Sequence, residues 1–214
     1  MEFLTRYWIY GVGFIGQSLF GARLLVQWFY SEKQGKVVSP TLYWQLSLIG
    51  SFIILLYGIL RTDVIIILGQ ILSYYIYIRN LQLKNNWKSI HRLVRIALSI
   101  LPVTVLWVLL LSDSETFVKI FTGSNLLHPL SLLGAVGQLT LNLRFVYQWY
   151  YSERKKMSVL PLGFWILSLV ASVMILIYGF YRRDPVLLVS QSLGLVAYTR
   201  NIFIYSRSHR AKLN

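Results

Sequence analysis

The stretch Arg23–Lys33, RLLVQWFYSEK, places an arginine and a glutamine inside an apolar segment that is otherwise typical of a membrane-spanning helix. Nearly the same letters, RFVYQWYYSER, return at Arg144–Arg154. Shifting the sequence by 121 residues aligns Gly13–Leu81 with Gly134–Ile202 without a gap, and 27 of the 69 aligned positions are identical. The chain therefore contains two tandem copies of one module.

Composition indicates that this module belongs in a membrane. The 214 residues are 56% hydrophobic and 13% charged, whereas a soluble domain has about 25% charged residues. Seven apolar segments approach the roughly 20 residues that a helix needs to cross a bilayer. They are Trp8–Phe29, Leu42–Leu60, Val64–Leu83, Leu93–Leu111, Pro129–Tyr150, Leu162–Tyr181 and Val186–Tyr205. The predicted fold class is all-α, a polytopic membrane protein with seven transmembrane helices.

The position of the copies predicts how the seven helices are organised. Each copy holds three segments, and a fourth segment stands alone between the copies. Because three crossings end on the side opposite to their start, the fourth helix lets both copies point the same way, in a 3+1+3 layout. The expected parts are a first three-helix repeat at 7–83, a linker helix with its loops at 84–128, a second repeat at 129–205 and a basic tail at 206–214.

The strong positive charge is explained by topology. Lysine and arginine outnumber the acids by 21 to 7, which gives a net charge of +14. With seven crossings, 14 of these basic residues fall on one side of the membrane and 5 on the other. Positive residues favour the cytoplasmic side, so we expect the amino terminus outside and the carboxyl terminus in the cytoplasm. A nucleic-acid partner is not needed to explain the charge.

Polar residues inside the apolar segments are the candidate binding site. An arginine at the bilayer centre costs about 2.5 kcal/mol or more, and its planar fork of donors suits phosphate. Arg23 shares a helix face with Gln27, as Arg144 does with Gln148, and we expect both faces to line a cleft that holds an anion. The candidate substrate-binding residues are Arg23, Arg144, Gln27, Gln148, Gln70, Gln191, Gln17, Gln138, Tyr77 and Tyr198.

Structural roles remain open for several of these residues. Arg23 pairs, in the alternative interpretation, with an acid such as Glu32 or with backbone carbonyls. Gln70 and Gln191 are favoured as ties between helices, because a buried amide needs partners. A second set falls at the cytoplasmic helix ends and is favoured as a Glu–Arg clamp closing each bundle, in preference to a headgroup site: Glu32, Arg79, Asn80, Glu153, Arg200 and Asn201.

The sequence carries no recognisable enzyme motif. Cysteine is absent, and His91, His128 and His209 lack the spacing of metal ligands. No glycine-rich phosphate loop or nucleophile motif is found. We therefore expect no catalytic residues, no metal and no cofactor.

These residues resemble a known family. The first copy reads GQ…AR…QWFYSEK…P…W..S…Y…D…GQ…Y.RN, which is similar to the lipid A biosynthesis N-terminal domain, also called the lipid-A-disaccharide synthase N-terminal-like domain. Two copies cover about two thirds of the chain. The 3+1+3 layout also resembles the SWEET and PQ-loop transporters, although Gln17 and Gln138 follow glycine where the PQ pattern has proline.

The resemblance implies a multi-pass protein of the bacterial inner membrane that acts near lipid-linked saccharides. The disaccharide synthase reaction requires a soluble glycosyltransferase portion with no counterpart in this sequence, so a non-enzyme is expected. The leading hypothesis is a carrier or flippase for a phosphate-bearing glycolipid or lipid-linked sugar of envelope biosynthesis. The alternatives are a non-catalytic module that recruits a glycosyltransferase to its lipid substrate, and a SWEET-type carrier of neutral sugars.

Overall fold

The computed structural model describes residues 2–60, 64–111, 129–183 and 185–210. These residues form seven α-helices and one short 3-10 turn, Trp87–Ser89, and no strand occurs among them. The helices are α1 (Glu2–Gln34), α2 (Thr41–Leu60), α3 (Val64–Leu83), α4 (Arg92–Leu111), α5 (Pro129–Lys155), α6 (Leu162–Arg182) and α7 (Pro185–Arg210). The all-α class is confirmed. Parts of the expected linker, residues 112–128, and of the basic tail, residues 211–214, lie outside the described residues.

Each expected apolar segment falls within one helix. Among the described residues, three helical segments are long and apolar enough to cross a membrane: Trp8–Gln34 of α1, α2 and α6. The other helices do not qualify, and α5 and α7 end in basic last turns. Three such segments indicate a membrane protein, whereas seven crossings remain a proposal.

The two copies use the same local chemistry to turn from the first helix into the second. Gly35 ends α1 in the left-handed conformation with φ at 61°, and Lys156 takes the same conformation, with φ at 51°, at the equivalent place after α5. A proline precedes the next helix in each copy, and its carbonyl accepts the first hydrogen bond, from Tyr43 N–H to Pro40 at 3.1 Å and from Phe164 N–H to Pro161 at 3.0 Å. Proline suits a helix start because its own N–H is not needed there.

The chain divides into two compact units, and the division falls inside helices. The first unit contains the described residues within Met1–Phe20 and Trp44–Ser124, and the second contains those within Gly21–Tyr43 and Asn125–Asn214. The second unit therefore combines the carboxyl-terminal half of α1 with α5, α6 and α7. This places Arg23 and Arg144, one from each sequence copy, in the same compact unit.

Glycines allow close helix packing at matching places in the two units. A Cβ on Gly16 of the first unit would lie 2.7 Å from the side chain of Ile54, and one on Gly137 of the second would lie 2.9 Å from Ile175. Both distances are shorter than real Cβ contacts, so a larger residue would displace the isoleucine and disturb the approach of α1 to α2 and of α5 to α6. Small residues have this role in membrane helix pairs.

Candidate functional site

The candidate site is built around two buried arginines of the second unit. Arg23 lies on α1 and Arg144 on α5, and each side chain is only 7% exposed. Gln27 and Gln148 follow one helical turn later on the same faces and are fully buried. The helix face that each arginine shares with its glutamine is therefore buried in the structure.

One aromatic ring is shared by the two arginines. The guanidinium carbon of Arg23 lies 5.2 Å from the centre of the Phe145 ring, and that of Arg144 lies 4.9 Å from the same centre. The two guanidinium groups are consequently no further apart than these distances laid end to end, about 10 Å. A cation over a ring face is attracted by the negative face of the π-system. Phe145 thus holds both positive charges close together.

Further aromatic rings surround each arginine. Arg144 lies over Phe164 at 5.1 Å and over Tyr198 at 5.3 Å, and Arg23 lies over Tyr43 at 5.5 Å. Tyr43 and Phe164 occupy equivalent positions of the two copies. The aromatic surroundings keep the guanidinium groups away from water while satisfying part of their electrostatic requirement.

The hydrogen bonding of Arg144 leaves donor capacity unused. Its Nη1 donates to Ser168 Oγ at 2.8 Å, and Ser168 in turn donates to the carbonyl of Phe164 at 2.5 Å. The buried Nε of Arg144 has no hydrogen-bond acceptor among the described residues. Because buried donors are normally satisfied, this N–H indicates an acceptor that the described part of the chain does not supply.

Charge neutralisation by the protein is also incomplete at Arg144. The only acids with described side chains are Glu32 and Glu153, which lie nine residues beyond Arg23 and Arg144 respectively, or about 14 Å along a helix. Among the described residues, no carboxylate lies within ion-pair distance of Arg144. Two like charges no more than about 10 Å apart repel by about 2 kcal/mol or more at an effective dielectric constant of about 20. An anion beside them would remove that repulsion.

Gln27 is held in a network of neutral hydrogen bonds. Its Nε2 lies 2.8 Å from Ser31 Oγ and 2.8 Å from Asn201 Oδ1, while Asn201 Nδ2 donates back to Gln27 Oε1 at 3.0 Å. Asn201 also donates to the carbonyl of Ala197 at 2.8 Å. The reciprocal amide pair joins α1 to α7, so Gln27 serves to connect helices.

Gln148 repeats the local half of this arrangement. Its Nε2 donates to Ser152 Oγ at 2.7 Å and to the carbonyl of Val159 at 2.8 Å. Val159 N–H donates to Ser152 Oγ at 3.1 Å, as Val38 N–H donates to Ser31 Oγ at 3.2 Å. Each glutamine therefore fixes the loop that follows its own helix.

The remaining candidate residues do not gather around the arginines as a set. Gln70 accepts a hydrogen bond from Ser51 at 2.9 Å, and Gln191 accepts one from Ser172 at 2.8 Å, which are the interhelical ties favoured from the sequence. Tyr77 packs against Trp44, whereas Tyr198 packs against Trp165 and also lies beneath Arg144. Gln17 and Gln138 are exposed and lie on other helix faces. Tyr198 is therefore beside one of the two arginines.

The clamp at the helix ends differs from the expectation of one Glu–Arg pair closing each bundle. Glu32 of the first copy is bound by Arg200 of the second copy, through Nε and through Nη2 at 3.0 Å. Arg79 donates to Gln82 at 3.0 Å, Glu153 accepts from Lys156 at 2.8 Å, and Asn80 donates to the carbonyl of Ile76 at 2.9 Å. The end of α1 packs with α7, so the pair of Glu32 and Arg200 joins the two copies. The clamp as a whole stays a prediction.

Sequence reasoning included Tyr198 but missed the other aromatic residues around the arginines, Phe145, Tyr43 and Phe164. Phe145 directly follows Arg144, yet the equivalent residue in the first copy is Leu24, so comparing the copies gives it no weight. Tyr43 and Phe164 are aromatic in both copies and lie twenty residues after their arginines. That shared aromatic character is the signal from which these two rings were predictable.

The fold and the site together define a class of protein. It is an all-helical membrane protein with a duplicated module and two buried arginines that are surrounded by aromatic rings. The sequence model of the Lipid A Biosynthesis N-terminal domain family matches residues 12–82 and 133–203. Both copies are therefore members of one family, and the chain belongs to the Lipid A Biosynthesis N-terminal domain family.

Curated relatives align along nearly the whole chain. The chain is 27% identical over 209 residues to a lipid-A-disaccharide synthase of Chlamydia pneumoniae, with 96% of this chain and 35% of the relative covered. It is 30% identical over 215 residues to that of Chlamydia felis, with 94% and 34% covered. The chain thus spans about a third of the length of these relatives. No solved structure matches it.

Proposed function

We propose that the protein is a carrier or flippase that moves a phosphate-bearing glycolipid or lipid-linked sugar across a bacterial inner membrane. The observation that carries this proposal is the pair of buried guanidinium groups, Arg23 and Arg144, within about 10 Å of each other. Keeping two charges away from water costs free energy, which a counter-charge reduces. Charged residues kept in such places usually serve a function. A guanidinium presents a planar fork of donors that matches the geometry of a phosphate group.

The family supports the chemical class of the ligand. Its name links the module to lipid A biosynthesis, and the relatives are lipid-A-disaccharide synthases. We therefore expect the bound phosphate to belong to a glycolipid of the cell envelope. Tyr198 is expected to contribute to the site beside Arg144, while Gln27 and Gln148 hold the helix ends that frame it.

The proposed topology is seven crossings in a 3+1+3 layout, with the amino terminus outside and the carboxyl terminus in the cytoplasm. The duplication, the charge distribution and seven helices of suitable length support it. A relation to the SWEET and PQ-loop transporters is part of the same proposal and rests on this layout alone.

Transport measured in vesicles tests the role of the arginines. The chain is reconstituted in phosphatidylcholine vesicles containing a trace of a fluorescent polyprenyl-diphosphate hexose, and dithionite bleaching of the outer leaflet reports lipid movement. We expect Arg23→Gln combined with Arg144→Gln to reduce the rate to that of empty vesicles. Arg154→Gln, which removes an exposed arginine at the end of α5, is the matched control and should move lipid like the unmodified protein. Equal movement by a folded double variant contradicts the proposal.

A recruiting module is the second candidate function. It is favoured by the length of the relatives, in which the matched region is about a third of a synthase chain. In that role the module would hold the lipid for a glycosyltransferase and would not move it. Co-purification of a glycosyltransferase, together with lipid binding but no lipid movement by the isolated chain, favours this candidate. Arginine-independent uptake of a free neutral sugar would instead favour the SWEET-type alternative.

A further inference from the structure

Two arginines from two sequence copies could form two equivalent anion sites or one shared site. Duplicated sequence alone favours two, because each copy supplies its own arginine and its own aromatic residue, Tyr43 or Phe164. The structure differs at one position. Both guanidinium groups lie over the single ring of Phe145, and the equivalent residue of the first copy, Leu24, has no ring to offer a second site.

We propose that Arg23 and Arg144 bind one phosphate or diphosphate group per chain and that Phe145 is the shared residue that positions both guanidinium groups on it. This deepens the proposed function and rests on it, since both assign phosphate to the same arginines. The ligand class is a phosphate monoester or a diphosphate, because each carries more than one negative charge and can be met by two guanidinium groups.

Geometry and hydrogen bonding both support a shared site. Separate anions at two guanidinium groups no more than about 10 Å apart would repel each other, whereas one multiply charged anion is attracted by both. The Nε–H of Arg144 is buried and lacks an acceptor among the described residues. Ser168 is neutral and occupies only one of the five guanidinium N–H donors.

The ring explains how the guanidinium group of Arg144 keeps its position although no carboxylate pairs with it among the described residues. A carboxylate partner would neutralise Arg144 and compete with a phosphate, whereas a ring face attracts the cation and leaves its in-plane N–H donors available. The aromatic neighbours Phe164 and Tyr198 act in the same way. Phe145 is therefore a positioning residue, which acts through the arginines without needing to touch the ligand.

Stoichiometry distinguishes one shared site from two. The full chain in detergent is titrated calorimetrically with inorganic phosphate, inorganic pyrophosphate and phosphatidic acid, and diacylglycerol, which carries no phosphate, serves as the lipid control. We expect one equivalent per chain for at least one phosphate probe, and the probe that binds identifies a free or a lipid-borne group. Arg23→Gln and Arg144→Gln should each weaken that one site at least tenfold. Two equivalents per chain, single variants that only halve the count, or no binding of any phosphate probe would overturn the proposal.

Matched changes at position 145 test the role of the ring. Phe145→Leu copies the first copy's Leu24 and should weaken phosphate binding three- to tenfold without changing the stoichiometry. Phe145→Tyr keeps a ring and should bind within twofold of the unmodified chain, as should Leu24→Phe. Unchanged affinity in Phe145→Leu, or equal weakening in Phe145→Tyr, overturns the positioning role.

The binding measurement separates this inference from the proposed function. One-to-one binding that depends on both arginines, without lipid movement in vesicles, leaves the shared site standing and removes the carrier function. Arginine-dependent lipid movement with two bound anions per chain supports the carrier function and overturns the shared site.

Discussion

The main feature of this protein at the scale of single residues is a buried guanidinium group that faces aromatic rings and one hydroxyl group. Among the described residues, no carboxylate pairs with it. Arg144 has Phe145, Phe164 and Tyr198 around it and one hydrogen bond to Ser168. Removing a partner from a buried polar group costs more than the partner's net contribution, because the group left behind stays out of water. The same argument applies to the amide pair between α1 and α7.

Asn201→Ala should lower the stability of the protein. It leaves the buried amide of Gln27 without the partner that both donates to it and accepts from it, and an unsatisfied buried group costs about 1–3 kcal/mol. Thermal unfolding of the full chain in detergent measures the effect. Thr199→Ala changes an exposed residue on the same helix and serves as the control. Equal unfolding temperatures for the two variants would mean that the amide pair does not hold α1 to α7.

Helix positions were largely predictable from sequence at the scale of secondary-structure elements, because apolar runs of membrane-spanning length indicate helices directly. The prediction Val64–Leu83 matches α3, and the other six segments lie inside their helices. The helices α1 and α5 extend beyond their predicted apolar segments, to Gln34 and Lys155. A helix can continue into polar residues, where hydropathy no longer marks it. The packing partners of each helix were less predictable. No periodic pattern indicates whether the end of α1 packs against helices of its own sequence copy or of the other copy.

Cysteine labelling tests whether the helices cross the membrane as proposed. The chain has no cysteine, so a single introduced thiol reports its own side of the membrane. Lys36→Cys follows α1 and Arg183→Cys follows α6, both at exposed positions. We expect a membrane-impermeant maleimide to label Arg183→Cys in intact cells and Lys36→Cys only after permeabilisation. The unmodified chain is the control for background labelling. Labelling of both positions from the same side would contradict the topology.

Duplication and asymmetry are combined at the scale of the whole molecule. The repeat of Arg23 at Arg144, and of Gln27 at Gln148, was visible in the sequence, and all four residues lie on buried helix faces. The shared ring was not predictable, because Phe145 has no equivalent in the first copy and its importance depends on the half of α1 that packs into the second unit.

Native mass spectrometry of the full chain, released gently from the membrane in which it is made, tests the central claim most directly. That claim is that the two buried arginines exist to hold a phosphate group. The account predicts one co-bound phosphate-bearing lipid per chain, retained in Arg154→Gln and lost when Arg23→Gln and Arg144→Gln are combined in a folded protein. A chain that carries no such lipid, or a double variant that carries as much of it as the unmodified protein, would contradict the account.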